Sequence, residues 1–189
     1  GVMTEPTSTQ LNTSRGKLLI LIGIAFVPIF VAFLAFQYFP DWRPTGTTNQ
    51  GELIMPPVSA EAVSQELIGV GGWVLLQPVN GDCDEYCKQM LYLSRQVVTG
   101  LGKDSSRVSR VLTVPVDVRE DLQRHLRDEH GDIKVVPAEM LPLNRVSRET
   151  PLLFLMDPNG NIMMYYSLEK AGKPMLKDLK HLLRHSNIG

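Results

Sequence analysis

Cys83 and Cys87 are the two cysteines of the chain, and they lie four residues apart. Two thiols at this spacing can form a structural disulfide, cycle between dithiol and disulfide, or bind a soft metal such as Cu(I). A disulfide between such close residues encloses a very short loop and removes little entropy from the unfolded chain. A purely structural bridge is therefore the least favoured of the three functions.

The residues on either side predict that a helix begins at the cysteine pair. An apolar run of strand-forming residues, 73–76, precedes the cysteines, and the segment 78–82 breaks it. Apolar residues then recur at three- and four-residue steps, which is typical of a helix: Met90, Leu91, Leu93, Val97 and Val98. Because a helix N-terminus favours thiolate over thiol, Cys83 is expected to be the attacking thiol and Cys87 the resolving one.

Three acidic residues, Asp82, Asp84 and Glu85, surround the cysteines. Their negative charge opposes the thiolate formation that the helix terminus favours. They could also attract a cation or a basic partner. The favoured interpretation is that they form an ordinary solvated helix start.

The remaining pattern predicts alternating strands and helices. A short helix over 59–68, capped by Ser59, comes before the first strand. After the cysteine helix, the pattern predicts a strand at 108–116, a surface helix at 118–130, strands at 133–136, 151–156 and 162–166, and a helix at 174–183. A turn at 157–160 joins the last two strands. Helical crossovers between strands imply a parallel core sheet with helices packed on it, and the hairpin adds an antiparallel end.

The N-terminal region predicts a membrane anchor. No charged residue occurs from Leu18 to Pro40, a length that suits one membrane-spanning helix. The run ends in a poor cleavage site for a signal peptide, so the anchor, residues 17–40, is expected to stay attached. Arg15 and Lys17 precede the run and Arg43 follows it, which predicts a cytoplasmic N-terminus. The C-terminal domain of this expected inner-membrane protein would then face the periplasm or an equivalent space.

The other boundaries follow from composition. Residues 1–16 are polar and predict a disordered tail, and residues 41–58 predict a Pro/Gly-rich linker. Residues 59–189 then form one domain. The net charge of −1 argues against a nucleic-acid partner.

Four features of the segment 71–186 resemble a thioredoxin fold: the strand leading to the cysteines, the Thr150-Pro151 step, the hairpin at 157–160 and the closing helix. The resemblance implies an α/β fold, thioredoxin-like, with a central mixed sheet flanked by helices and one N-terminal transmembrane helix. In that fold a cis-proline faces the cysteine pair. Pro151 has the matching position and is expected to shape the groove opposite Cys83 and Cys87.

Within that fold, the sequence resembles the Sco proteins. The resemblance rests on three residues between the cysteines, the N-terminal anchor and the segment LFLMDPNG at 153–160. Sco proteins bind copper and help to build the dinuclear copper centre of cytochrome c oxidase. The resemblance implies Cu(I) as a ligand of Cys83 and Cys87, and cytochrome c oxidase subunits or assembly factors as partners.

The sequence departs from the Sco pattern at the third copper ligand, a histidine. The corresponding place is near Glu149, and the stretch 144–151 contains no histidine. A carboxylate suits soft Cu(I) poorly. The two thiolates are therefore expected to bind Cu(I) without a third ligand and to form no stable Cu(II) complex. One of the four histidines elsewhere in the sequence could replace the missing ligand: His125, His130, His181 or His185.

Other residues of metal-binding type have a simpler interpretation. His125 is expected on a polar surface helix and His130 at its end, and the i, i+4 pair His181 and His185 on a solvated helix end. The methionines near the predicted helices and hairpin are expected to fill the core: Met90, Met163, Met164 and Met175.

Two functions are compatible with these features. The first is a thiol–disulfide reductant or Cu(I) carrier that serves cytochrome c oxidase assembly through Cys83 and Cys87. The second is a non-catalytic structural or docking subunit of a membrane respiratory complex, in which the cysteines form a relict bridge.

Overall fold

The computed structural model describes residues 8–38, 48–79, 82–115, 118–138, 141–146 and 151–186. The chain forms two compact units, residues 1–47 and 48–189. The first unit contains helix α1, Ser8–Tyr38, which includes residues 8–16 of the segment predicted as a disordered tail. Its segment Arg15–Ala35 contains an 18-residue window with a mean hydropathy of 3.0 and is long and apolar enough to cross a membrane. A helix suited to one membrane span therefore occupies the place where the sequence predicts the anchor.

The second unit is built on one six-stranded sheet with the strand order β1-β6-β5-β2-β3-β4. The strands are β1 (Glu52–Ser59), β2 (Trp73–Pro78), β3 (Val108–Val114), β4 (Lys134–Pro137), β5 (Leu152–Met156) and β6 (Asn161–Ser167). Strands β2, β3 and β4 are parallel, whereas β5, β6 and β1 add antiparallel pairs. The predicted mixed sheet is confirmed.

Helices cover both faces of this sheet. They are α2 (Ala60–Val63), α3 (Gln65–Ile68), α4 (Glu85–Gly100), α5 (Glu120–Glu129), α6 (Leu141–Asn144) and α7 (Lys173–His185), with a 3₁₀ helix at Gly102–Arg107. Alternate residues of β2 point to opposite faces. Trp73 and Leu75 pack in the cluster that contains residues of α4 and α7, and Val74 and Leu76 pack with residues of α2, α3 and α6.

The structure corrects the predicted linker. Residues 52–59 form β1, which pairs with β6 at the edge of the sheet. Pro56 and Pro57 suggest a linker, but proline is tolerated on an edge strand because one side of the strand makes no ladder hydrogen bonds. The register of the β1–β6 pair shifts between Leu53 and Val58, on either side of these prolines. Ile54 is buried in the core.

The helix predicted over 59–68 is two short helices. Ser59 caps α2 as predicted, since its hydroxyl accepts a hydrogen bond from the Glu61 N–H at 3.3 Å. Ser64 interrupts the run in an extended conformation and accepts from the Glu66 N–H, so a second helix starts there. The strand predicted to reach residue 116 ends at Val114, one residue before Pro115.

The start of β1 is bound to α7 by a buried carboxylate. Asp178 Oδ2 accepts hydrogen bonds from the backbone N–H groups of Gln50 (2.7 Å) and Gly51 (3.0 Å) and from the Tyr166 hydroxyl (3.0 Å). Burial, together with the Asp178 charge, raises the pKa of Tyr166. A Cβ at Gly51 would lie 2.6 Å from the Tyr166 ring, so this contact requires glycine.

The predicted hairpin turn is confirmed. Asp157 Oδ1 accepts from the N–H groups of Asn159 (2.9 Å) and Asn161 (2.8 Å). Gly160 has a φ of +82°, a conformation that favours glycine. The Asp157 carboxylate therefore makes its hydrogen bonds within the turn itself.

Candidate functional site

The cysteine pair lies where β2 leads into α4. Asp84 is the N-cap of α4, and its Oδ1 accepts from the Cys87 N–H at 2.9 Å. Cys83 therefore precedes the helix, and Cys87 is in its first turn. The predicted strand, loop and cysteine helix are present, but only Cys87 is part of the helix.

The two sulfurs form a disulfide, with the Cα atoms 5.1 Å apart. This separation lies within the usual range for disulfides. The Cys83 residue is half-buried, whereas Cys87 is 7% exposed. A partner thiol or disulfide can therefore reach Cys83 more easily than Cys87, in keeping with the expected order of attack.

Gln77 of β2 lies directly against Cys87. Its Nε2 donates to the Cys87 carbonyl oxygen at 3.0 Å and lies 3.5 Å from Cys87 Sγ. Gln77 is 1% exposed, and its Oε1 has no hydrogen-bond partner among the described residues. This contact has one signal in the sequence, a polar residue that directly follows the apolar run 73–76.

The acidic residues near the cysteines are exposed, and each forms an ion pair or a hydrogen bond with another residue of the domain. Asp82 pairs with Arg119, Glu85 with Lys88 at 3.1 Å, and Asp84 serves as the cap. This arrangement fits the interpretation of a solvated helix start.

Pro151 lies at the same end of the sheet as the cysteines. β5 runs antiparallel to β2, with Phe154 opposite Leu76, so the residue before β5 is near the end of β2. Thr150 and Glu149 lie outside the described residues. The predicted cis bond before Pro151 and the position of Glu149 beside the cysteines stay predictions.

His130 lies at the end of the predicted surface helix, but its side chain is buried. His130 is 2% exposed, and its Nδ1 lies 3.3 Å from Arg110 Nη2. Burial, aided by the positive charges of Arg110 and Arg95, lowers the pKa of His130 to about 4. The imidazole is therefore neutral at pH 7. The predicted surface helix is α5, which ends at Glu129. His130 follows it directly, and its side chain points into the core.

Arg110 connects this region to α4. Its guanidinium donates to Ser94 Oγ (3.1 Å), the Leu91 carbonyl oxygen (2.8 Å) and both Asp132 oxygens (3.0 Å each). Burial lowers the pKa of Arg110, and Asp132 opposes this change. An arginine remains charged at pH 7.

His125, Glu129 and His130 form a group of metal-ligand type, with one donor atom of each within 4.8 Å of the others. However, Arg110 can only donate, so His130 Nδ1 accepts, and in the neutral ring Nε2 carries the proton. His130 therefore has no free lone pair for a metal, and two arginines add positive charge. The group is better explained as part of the Arg110 network.

The other histidines have local roles. His181 and His185 are exposed on α7, where His185 Nδ1 lies 2.8 Å from the His181 carbonyl oxygen. Within the described part of the chain, none of the hydrogen bonds and ring contacts of the four histidines involves Cys83 or Cys87. The predicted core methionines are buried or pack against the core: Met90, Met163, Met164 and Met175.

A mixed sheet with a cysteine pair at the start of a covering helix defines a thioredoxin-like thiol protein. The chain belongs to the family described as transmembrane-like, thioredoxin-like, C-terminal domain, whose model matches residues 73–186. The matched segment contains both cysteines, Gln77 and Pro151. No curated protein sequence matches the chain.

Several solved structures are similar to the chain. ScoI from Bradyrhizobium japonicum with copper bound shares 18% identity, with 59% of this chain and 85% of that chain covered and a TM-score of 0.44. A putative electron transfer protein from Aquifex aeolicus shares 19% (60% and 80% covered, TM-score 0.44). A putative thioredoxin from Neisseria meningitidis shares 15% (74% and 92% covered, TM-score 0.45). Likeness at this level carries no argument about function.

Proposed function

We propose that this protein is a membrane-anchored thiol–disulfide reductant that acts through Cys83 and Cys87. The observation that supports this function best is the bonded sulfur pair at the N-terminus of α4, with Cys83 accessible and Cys87 buried. A helix N-terminus stabilises thiolate, and an accessible thiolate is the nucleophile in disulfide exchange.

The exchange proceeds from the reduced pair. The Cys83 thiolate attacks one sulfur of a partner disulfide, forms a mixed disulfide and releases the other partner sulfur as a thiolate. The Cys87 thiolate then attacks Cys83 Sγ, closes the disulfide seen in the structure and releases the second partner sulfur. Two electrons pass to the partner. A dithiol reductant in the same compartment must restore the reduced pair.

We propose that α1 spans the inner membrane, that the thiol domain faces the periplasm, and that the partners are cytochrome c oxidase subunits or assembly factors. The partner and orientation rest on the Sco resemblance and the flanking charges.

Carrying Cu(I) is the second candidate function. It is favoured by two adjacent soft sulfur ligands, which can bind Cu(I) in near-linear geometry after reduction. The described histidines contribute no imidazole to these sulfurs. Copper would be cargo here, and it would compete with thiol exchange for the same reduced pair.

One experiment on the full chain in detergent tests both candidates. The reduced protein is mixed with a small disulfide, and the Cys83→Ser and Cys87→Ser variants are the matched controls. We expect Cys87→Ser to accumulate a mixed disulfide at Cys83, and Cys83→Ser to react far more slowly because its thiol is buried. Equal trapping by both variants would contradict the assigned order.

The same reduced samples are titrated anaerobically with Cu(I). The carrier function predicts one Cu(I) per chain, loss of binding in either cysteine variant, and no stable complex with Cu(II). A protein that neither exchanges disulfides nor binds Cu(I) would support the docking-subunit alternative.

A further inference from the structure

Gln77 is a polar exception on an apolar strand face. Trp73, Leu75 and Gln77 alternate along β2 on the side that α4 covers, and all three are buried. The first two pack into the core cluster, whereas the Gln77 amide lies against Cys87. The strand thus changes from apolar packing to a polar contact at Gln77, beside Cys87.

A contribution to the stability of the fold does not explain why a glutamine is buried at position 77. Its Nε2 is paired with the Cys87 carbonyl oxygen, but its Oε1 is buried without a partner among the described residues. A buried unpaired acceptor is destabilising, and an apolar side chain of similar shape would avoid that penalty. This cost suggests that the amide serves the neighbouring sulfur.

We propose that Gln77 is the positioning residue of the resolving cysteine: when the disulfide opens, its Nε2–H donates to the Cys87 sulfur and holds the thiolate beneath Cys83. This inference rests on the proposed thiol-exchange function. The nitrogen already lies 3.5 Å from Cys87 Sγ in the closed state. A thiolate attracts an N–H donor more strongly than a disulfide sulfur does, because the acceptor then carries a full charge.

The Gln77 amide is a buried, uncharged donor beside this sulfur. The charged groups nearby are solvent-accessible: Asp82, Asp84, Glu85, Lys88 and Arg119. Gln77 does not titrate, so it can stabilise the Cys87 thiolate at every pH without adding charge to the core. We expect this contact to increase the fraction of Cys87 that is thiolate, the form that attacks Cys83 Sγ in the second step of exchange.

The first test measures the Cys87 thiol by itself. In the full chain carrying Cys83→Ser, the pH dependence of thiolate ultraviolet absorbance gives the Cys87 pKa. Adding Gln77→Met removes the donor with little change in shape, and we expect the pKa to rise by about one unit. Ser94→Ala is the matched control, because it removes a buried hydrogen bond of α4 that involves Arg110 and not the sulfur.

The second test measures the two exchange steps in the reduced protein with both cysteines. Tenfold less thiolate is partly offset by roughly threefold greater nucleophilicity, so Gln77→Met should lengthen the lifetime of the mixed disulfide about threefold. Attack by Cys83 should stay within about twofold of wild type. A slower second step with a nearly unchanged first step indicates that Gln77 positions Cys87. A general loss of structure would alter both steps.

An unchanged Cys87 pKa in Gln77→Met, or an equal shift in Ser94→Ala, would overturn the inference. If Gln77→Met does not fold, Gln77→Leu provides the same loss of donor. Absence of attack by wild-type Cys83 would instead refute the proposed function, and the pKa measurement in the Cys83→Ser background would still decide the role of Gln77.

Discussion

Two buried polar side chains reach from the sheet to α4, and they differ in how completely they are paired. Arg110 of β3 has hydrogen bonds to Ser94, Leu91, Asp132 and His130. Gln77 of β2 has one paired nitrogen and one buried oxygen without a described partner. The first lies in the middle of α4 and the second at its start, against Cys87.

The difference indicates what each contact does. A buried cation is tolerated only when partners replace its lost hydration, so the Arg110 network must be complete to hold β3, α4 and the end of α5 together. At Gln77 the unpaired Oε1 is destabilising, whereas the Nε2 group lies near the Cys87 sulfur as a donor for a thiolate. We therefore expect Arg110 to control stability and Gln77 to control thiol reactivity.

The largest effect is expected from Arg110→Met. It leaves the buried Leu91 carbonyl oxygen and the Ser94 hydroxyl without their charged donor and should lower the free energy of unfolding by about 4 kcal/mol. Denaturant unfolding measures this change. Arg127→Met is the control, since Arg127 is exposed on α5, and it should change stability little. A loss as small as that of the control would disprove the structural role.

The next effect is a dependence on pH at His130. Its pKa falls from 6.5 in the unfolded chain to about 4 in the fold, so its stabilising effect is complete above pH 6.5 and is lost as pH falls toward 4. The loss is at most about 3 kcal/mol, because one pKa unit corresponds to about 1.4 kcal/mol.

Unfolding by urea at pH 7 and pH 4.5 measures this loss. The rings and charges that face His130 are Arg110, Arg95, His125 and Glu129. His130→Gln cannot titrate and should show a weaker pH dependence than wild type. An identical pH dependence in the variant would assign the effect to other groups.

The smallest effect is expected at the cap of α4. Asp84→Ala removes the acceptor of the Cys87 N–H and should lower the free energy of unfolding by about 1 kcal/mol. Asp84→Asn keeps an acceptor and removes the charge, so it should retain most of the stability while favouring thiolate formation at the cysteines. Thermal unfolding and thiol alkylation rates separate the two roles, and equal losses in both variants would contradict capping.

The sequence predicts what depends on local pattern. Periodicity places the strands and helices, and the cysteine spacing identifies the site. β1 is not predicted because Pro56 and Pro57 suggest a linker, and only the position at the sheet edge makes them compatible with a strand. Burial of His130 depends on Arg110, twenty residues away along the chain, and the Gln77 contact depends on how α4 lies over β2. Such contacts have no local signature.

The hydrogen bonds to Asp178 affect how the domain resists a force applied to the chain before Gln50. A pull on the chain ahead of Gln50 reaches the two hydrogen bonds to Asp178 before it reaches the β1–β6 ladder. These bonds link the incoming chain to α7, so the load passes into a helix of the core. The edge strand is thereby protected from being peeled away one hydrogen bond at a time.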